Sequence, residues 1–359
     1  MIKDPSQSTV LITGGAGFVG SSFALHWKKR HPGSKVIALD NLKRRGSELN
    51  LPRLKDAGIE FLHGDVRDAG DLRGLPPIDA LVECSAEPSV LAGYGTHADY
   101  VVNTNLLGTI NCLELVARDR ADLVFLSTSR VYPIAPINAA CLENEHGFAV
   151  DPTARTAGIS HKGINEEFPL AGVRSLYGAT KLASELMIAE YAALHGFRAV
   201  IDRCGVIAGP WQMGRTDQGF VLLWLARHHW GRPLQYIGFG GRGSQVRDML
   251  HIDDLCDLVT LQLEDMDRVD GRTFNAGGGA TNSATLRACT ELARTITGRR
   301  LDITPHAEDR PGDLKLYITD NTAVQAATGW APQRDLHTLF SDSYQWLKAH
   351  EDVLRPILN

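Results

Sequence analysis

A chain of 359 residues is long enough to bury a large core and to divide into two lobes. Its 43% hydrophobic and 22% charged content is that of a globular protein rather than a disordered one. The net charge of −5 excludes a broad basic field, so neither nucleic acid nor an anionic membrane is an expected partner; one local basic pocket for a diphosphate is compatible with it.

The first part of the chain alternates short apolar runs with helix-length stretches. Strands are predicted at Thr9–Thr13, Lys35–Leu39, Glu60–His63, Ala80–Glu83, Leu123–Ser127 and Arg198–Arg203, and helices at Phe18–Arg30, Tyr100–Arg118 and Ser175–His195. Alternation of this kind implies an α/β fold, a doubly wound parallel sheet with helices on both faces. After Gly205 the texture changes: a Gly/Pro-punctuated stretch runs to about Gly243, then a strand at Val246–Leu250, a helix at Asp253–Leu263 and a strand within Phe274–Gly279. The remainder reads as helical, with a Pro-rich loop near Pro305–Pro311. Pro133–Gly172 lacks periodicity and reads as an active-site cover or an ornamental loop. Six cysteines, at 84, 112, 141, 204, 256 and 289, include no C-x-x-C pair and read as free thiols of a reducing compartment. No apolar run approaches the ~20 residues that span a bilayer. The short polar stretch before the first strand reads as no signal peptide, so the cytoplasm is expected.

The first strand runs into Gly14, Gly15, Ala16, Gly17, Phe18, Val19 and Gly20, then a helix. Gly15, Gly17 and Gly20 fit G-x-G-x-x-G, and Gly14, Gly17 and Gly20 fit G-x-x-G-x-x-G. Small residues here let backbone N–H groups approach a pyrophosphate at the helix N-terminus. A glycine string alone is weak evidence; a strand before it, a helix after it and Asp40 at the end of the next strand give it weight. Asp40 would bind ribose hydroxyls and repel a 2′-phosphate, which favours NAD over NADP, although Lys43, Arg44 and Arg45 stand close enough to hold such a phosphate. Asp65, followed by Val66, suits an adenine-edge contact or, more blandly, a helix cap. Motif and texture together predict a Rossmann unit from residues 1–205 plus about 244–280, and a second, smaller α/β lobe from about 206–243 plus 281–359.

Tyr177 and Lys181 form Y-x-x-x-K on one helix face. A free tyrosine, with pKa ~10, is a poor base at neutral pH. A nearby ammonium and a cationic nicotinamide would both favour its phenolate, which could take a proton from a sugar hydroxyl as hydride leaves the same carbon. Such a spacing is common on solvated helices; the strand ending in Ser127-Thr128-Ser129 adds weight, because strand ends of this kind line a ligand crevice. Thr128 is the first candidate to hydrogen-bond the reacting oxygen, and Ser129 the second.

Together these motifs, with Asp40-Asn41-Leu42, Gly64-Asp65-Val66, Arg247–Asp254 and Arg310–Asp313, resemble the extended short-chain dehydrogenase/reductase family over nearly the whole chain. The resemblance implies nucleotide-diphosphate sugar substrates, NAD, and catalysis by Thr128, Tyr177 and Lys181. Asn41 joins the cofactor contacts, and Glu87, Thr128, Gln212, Gln218, Arg247 and Arg310 become candidate substrate contacts; an arginine fork suits a diphosphate. Asn41–Leu51, Ser127–Tyr132, Thr216–Phe220 and Gln245–His251 are most similar to a branch that epimerises CDP-sugars at C2. This chain departs from its relatives at Pro133, at Glu83 where many have His, at Ala208 and Trp211, and in a longer 133–172 segment.

An epimerase would move hydride to NAD and back to the opposite sugar face, at C2 or, in the alternative branch, at C4. A 4,6-dehydratase needs Asp-Glu after the threonine, where this chain has Ser129-Arg130. A non-catalytic NAD sensor would be expected to have lost Tyr177, Lys181 or the hydroxyl. No metal is expected: His228-His229 lacks a carboxylate or cysteine at ligand spacing and reads as a helix end. Asp253 reads as a helix cap, and Cys84 and Cys204 as packing residues. The resemblance also implies a homodimer through the Tyr100–Arg118 and Ser175–His195 helices.

Overall fold

The computed structural model describes residues 2, 4–95, 97–215 and 218–358. The first five strands of the central sheet alternate with helices: β1 (Thr9–Thr13), α1 (Phe18–Arg30), β2 (Lys35–Asp40), α2 (Leu51–Asp56), β3 (Glu60–His63), α3 (Ala69–Arg73), β4 (Ala80–Glu83), α4 (Asp99–Val102), α5 (Gly108–Asp119) and β5 (Asp122–Thr128). A π-helical turn, Asn103–Leu107, joins α4 to α5, so the single helix expected over 100–118 carries a register break.

The 133–172 segment is neither featureless nor ornamental. It contains α6 (Ile134–Ala139) and two antiparallel hairpins, β6 (Cys141–Asn144) with β7 (Gly147–Val150) and β8 (Ile159–Ser160) with β9 (Gly163–Ile164). Strands of two to four residues are too short to display a period. Their partners lie far away in sequence: Ile164 N–H donates to Ile318 O (2.8 Å), Phe148 N–H to Ser244 O (3.1 Å), and Glu143 pairs with Arg242 (2.5 Å). The segment is a strap across both halves of the molecule.

The chain then re-enters the sheet through α7 (Leu176–His195) and β10 (Ala199–Cys204). Beyond it come β11 (Val206–Ala208), α8 (Phe220–Trp230), β12 (Leu234–Ile237), β13 (Val246–His251), α9 (Ile252–Glu264), α10 (Met266–Val269) and β14 (Arg272–Ala276). The C-terminal part carries β15 (Ser283–Thr285), α11 (Leu286–Thr297), β16 (Ile303–His306), β17 (Leu316–Tyr317), α12 (Thr322–Thr328), α13 (Leu336–Ala349) and α14 (Glu351–Leu358).

Seven parallel strands stand in the order β14-β10-β5-β4-β1-β2-β3. The order reverses at β1, so β1 and β4 splay their connections to opposite faces and open a crevice at their carboxyl ends. One face buries Phe23, Trp27, Leu255 and Val259 of α1 and α9; the other buries Leu113, Val116 and Ile188 of α5 and α7. The inner strands are buried on both sides, which is why β1 and β4 read as apolar runs apart from their ends. A second core joins α8, α11, α13 and α14 beside the small sheet in which β13 pairs β11, β15 and β17. Residues 322–330, expected in the second lobe, instead pack Val324, Ala327 and Trp330 against the α1/α9 core.

Candidate active site

The crevice begins at the β1 turn. Gly14 adopts φ +63°, and a Cβ on Gly20 would fall on the Gly14 carbonyl oxygen, so α1 starts directly against the turn. Gly15 serves packing rather than the cavity wall: its Cβ would lie 2.7 Å from Ala38 on β2. Gly14, Gly17, Phe18, Val19 and Gly20 line the cavity. Gly17 caps α1 without a side-chain hydrogen bond, leaving the first N–H groups of the helix to meet an anion.

Asp40 ends β2 at the cavity wall, its oxygens accepting Ala16 N–H (3.1 Å) and Leu42 N–H (2.8 Å). Burial raises its pKa, and these backbone donors oppose the rise. The remaining lone pairs suit ribose hydroxyls. Lys43 lies over the Tyr100 ring (4.3 Å), Arg44 donates to Gln218 Oε1 (2.5 Å) and Met213 O (2.8 Å), and Arg45 is exposed. This donor set, a glycine cradle beside a buried ribose acid, fits NAD. Asn41 and Val66 line the same cavity. Asp65 is turned elsewhere: it takes a fork from Arg67 (2.6 Å) and the Asn41 amide (2.9 Å), and the guanidinium holds its carboxyl well below the usual range. The helix cap offered as the alternative role of Asp65 is instead Asp68, which accepts Gly70 N–H (2.8 Å).

Thr128 is the last residue of β5 and Tyr177 lies in the first turn of α7. They meet because Ser175 caps α7 by accepting Gly178 N–H (3.2 Å), while Gly178 rests on the Arg130 carbonyl with no room for a Cβ. The Thr128 side chain stands close enough to the Tyr177 phenol to favour its ionised form. Burial pushes Tyr177 up to about 12; Thr128 and the Arg130 charge act the other way. Within the chain's own charges the expected depression of this phenol does not arise. Lys181, 2% exposed, has its Nζ 3.8 Å from the Phe125 ring centroid, and its strongest charge partner is Glu83 rather than Tyr177. Burial lowers Lys181, and Glu83 opposes that.

Ser129 is buried at the cavity wall next to Arg130. Burial, then repulsion from Arg247, pulls the Arg130 guanidinium down to about 10; it donates to Gly312 O (3.0 Å). Ser127 donates to Glu185, which pairs with Arg203 (2.7 Å) beneath the site.

On the far wall stand Gln212, Gln218, Arg247 and Arg310. Arg247 donates to Asp313 (2.8 Å) and Leu314 O (2.8 Å). Gln212 gives its amide N–H to Ile207 O (2.8 Å), and its Oε1 is buried without a hydrogen-bond partner. Thr216 and Asp217 lie outside the described residues. Glu87 does not join the wall: its neighbours Ala86 and Pro88 do, while its carboxylate accepts Ser89 N–H (3.1 Å).

Sequence reading missed Asn105. From the π turn it accepts Glu87 N–H (2.7 Å) and donates to Thr180 (3.2 Å), tying the loop after β4 to α7. Only the polar cluster Asn103-Thr104-Asn105 inside a helical pattern signalled it. His228, fully buried, bonds Trp224 O (2.7 Å), and His229 faces Glu351 (3.3 Å). The α9 cap is His251, which accepts Asp253 N–H (3.1 Å), so Asp253 is not that cap.

Comparison with known proteins agrees with this geometry. Residues 10–277 match the model of the NAD dependent epimerase/dehydratase family. The chain is 28% identical to CDP-paratose 2-epimerase of Salmonella typhi, covering 94% of this chain and 98% of that one. It is 30% identical to dTDP-glucose 4,6-dehydratase of Mycolicibacterium smegmatis, covering 97% and 96%. The solved dTDP-glucose 4,6-dehydratase DesIV of Streptomyces venezuelae, with NAD bound, superposes with TM-score 0.79 at 28% identity over 97% of this chain and 99% of that one. The chain thus belongs to the NAD dependent epimerase/dehydratase family, enzymes that act on nucleotide sugars, and its cofactor is NAD.

Proposed function

We propose that the enzyme epimerises a nucleotide-diphosphate sugar, in the manner of a CDP-paratose 2-epimerase, with C4 of a UDP-sugar as the alternative site. The observation that carries this reading is the residue pair after Thr128. An elimination needs an acid and a base there, and Ser129-Arg130 offers a hydroxyl and a guanidinium instead. Oxidation and re-reduction with bound NAD need no acid/base pair at those two positions, since Tyr177 itself handles the hydroxyl proton.

Bound NAD supplies the acceptor and donor of hydride. Gly14, Gly17 and Gly20 let backbone N–H groups hold its pyrophosphate, and Asp40 its ribose. Tyr177 takes the hydroxyl proton of the sugar and later gives it back; Thr128 holds the same oxygen and steadies the phenolate. Lys181 supplies a fixed positive charge beneath the site. Arg247, Arg310 and Gln218 hold the diphosphate and nucleotide while the keto sugar turns.

The test is incubation with CDP-, UDP-, dTDP- and GDP-sugars, CDP-paratose among them, in D2O under proton NMR. A C2 epimer of a CDP-sugar without deuterium at C2 is the expected product. Conversion at C4 of a UDP-sugar keeps the mechanism and moves the carbon. Loss of water with deuterium entering the sugar sinks the epimerase reading in favour of dehydration.

A further inference from the structure

Glu83 is a buried carboxylate that the mechanism above leaves unused. It closes the otherwise apolar strand β4 and is 1% exposed. The β4/β5 register sets Glu83 opposite Phe125, so both side chains leave the same face of the sheet. That face is covered by α5 and α7. From α7, Lys181 descends onto it with its Nζ over the Phe125 ring. From α5, the Thr109 hydroxyl donates to Glu83 Oε1 (2.5 Å), while Glu83 Oε2 is buried with no hydrogen-bond partner.

The other ionisable groups around this cluster are already accounted for. Cys84 just after β4, Cys112 on α5 and Cys204 on β10 are thiols that burial keeps neutral. Glu185 on α7 is committed to Arg203. Among the described residues Lys181 and Glu83 make no contact ion pair, yet each is the largest charge acting on the other. A glutamine would satisfy Thr109 as well as a glutamate does, at a far smaller desolvation cost. The carboxylate therefore needs a reason beyond that hydrogen bond.

We infer that Glu83 is the counter-charge of Lys181, a positioning residue whose carboxylate keeps the buried amine an ammonium beneath the Thr128–Tyr177 pair. The inference rests on the proposed role of Lys181 as the fixed cation of the site. Its sign is definite. Burial favours the neutral amine and the carboxylate favours the ammonium, so removing the carboxylate lowers the pH at which Lys181 loses its proton.

The experiment uses NAD-loaded protein with 13Cε-labelled lysine, the Lys181 signal being identified by its loss in Lys181→Met. In Glu83→Gln the Lys181 titration is expected to fall by about one pH unit or more, roughly tenfold in the ionisation equilibrium. Glu83→Asp is expected to hold it near the original value. The alkaline limb of kcat/KM should move down with it while KM for the nucleotide sugar stays put. A merely structural role would leave the titration where it was and lower kcat evenly at every pH, and that result overturns the inference. A measurement without any change at Glu83 guards against misfolding: Lys181→Met should leave Glu83 a neutral acid, visible as a protonated-carboxyl band in difference infrared spectra. Absence of that band overturns the inference as well. Neither the NMR nor the infrared experiment requires a nucleotide sugar, so their failure is distinct from failure of the epimerase reading.

Discussion

At the scale of single residues, the site sets hydroxyls and one ammonium against a strong burial cost. Tyr177→Phe removes the proton acceptor and leaves the ring in place, so turnover should fall ~10²–10⁴-fold. NAD should be retained, as read by absorbance of the purified protein. A second residue makes a cleaner pH statement. Asp202 on β10 is fully buried, accepts one hydrogen bond from Gln262 (2.8 Å) and has its other oxygen unpartnered; burial pushes its pKa up to about 7. A raised carboxyl favours the folded state only while protonated. Its contribution is complete below the unfolded value near 4 and is lost as pH rises towards 7. Asp202→Asn should therefore stabilise the protein by roughly 1–3 kcal/mol at pH 8 and by much less at pH 4.5. Chemical denaturation at the two pH values measures it, and an equal effect at both would contradict the burial argument.

At the scale of elements, one contact decides whether the catalytic pair exists. Helix α7 is held to the turn after β5 by the absence of a side chain at Gly178. Alanine is a better helix former than glycine by about 1 kcal/mol, so propensity alone predicts a stabilised protein. The close approach to the Arg130 carbonyl predicts the reverse. Gly178→Ala should cost about 1–3 kcal/mol as α7 is forced outward, and kcat should drop because Tyr177 leaves Thr128. A melt together with steady-state kinetics separates the two arguments. The same scale explains why the strap was opaque in sequence. Its hairpins gain their stability from Ile318, Ser244 and Arg242, not from their own few residues.

At the scale of the whole molecule, the α5/α7 side of the sheet leaves Leu107, Leu186 and Leu194 47%, 65% and 77% exposed. We propose that this helix pair meets its copy in a homodimer, and the double change Leu186→Glu, Leu194→Glu should shift sedimentation to the monomer without changing the melting temperature of the subunit greatly. A wild-type monomer at all concentrations would remove the proposal. Among the described residues no helix is long and apolar enough to cross a membrane.

Local signals were legible in the chain by itself. The strand-glycine-helix junction at Thr13–Gly20, the acid at Asp40 and the Tyr177/Lys181 spacing depend on neighbours within a turn or a strand, and periodicity exposes them directly. The parallel sheet followed from the alternation of such units. What folding alone decided is how distant charges divide among themselves. Asp65 turned to Arg67 and Asn41 instead of the cavity, Glu87 turned into its own loop, and Lys181 came to face Glu83 from another strand. Residues 322–330 joined the first core although they follow the second. Pairings of this sort span tens to hundreds of residues, and their energies come from burial and close approach, quantities that exist only once the sheet has brought the strands together.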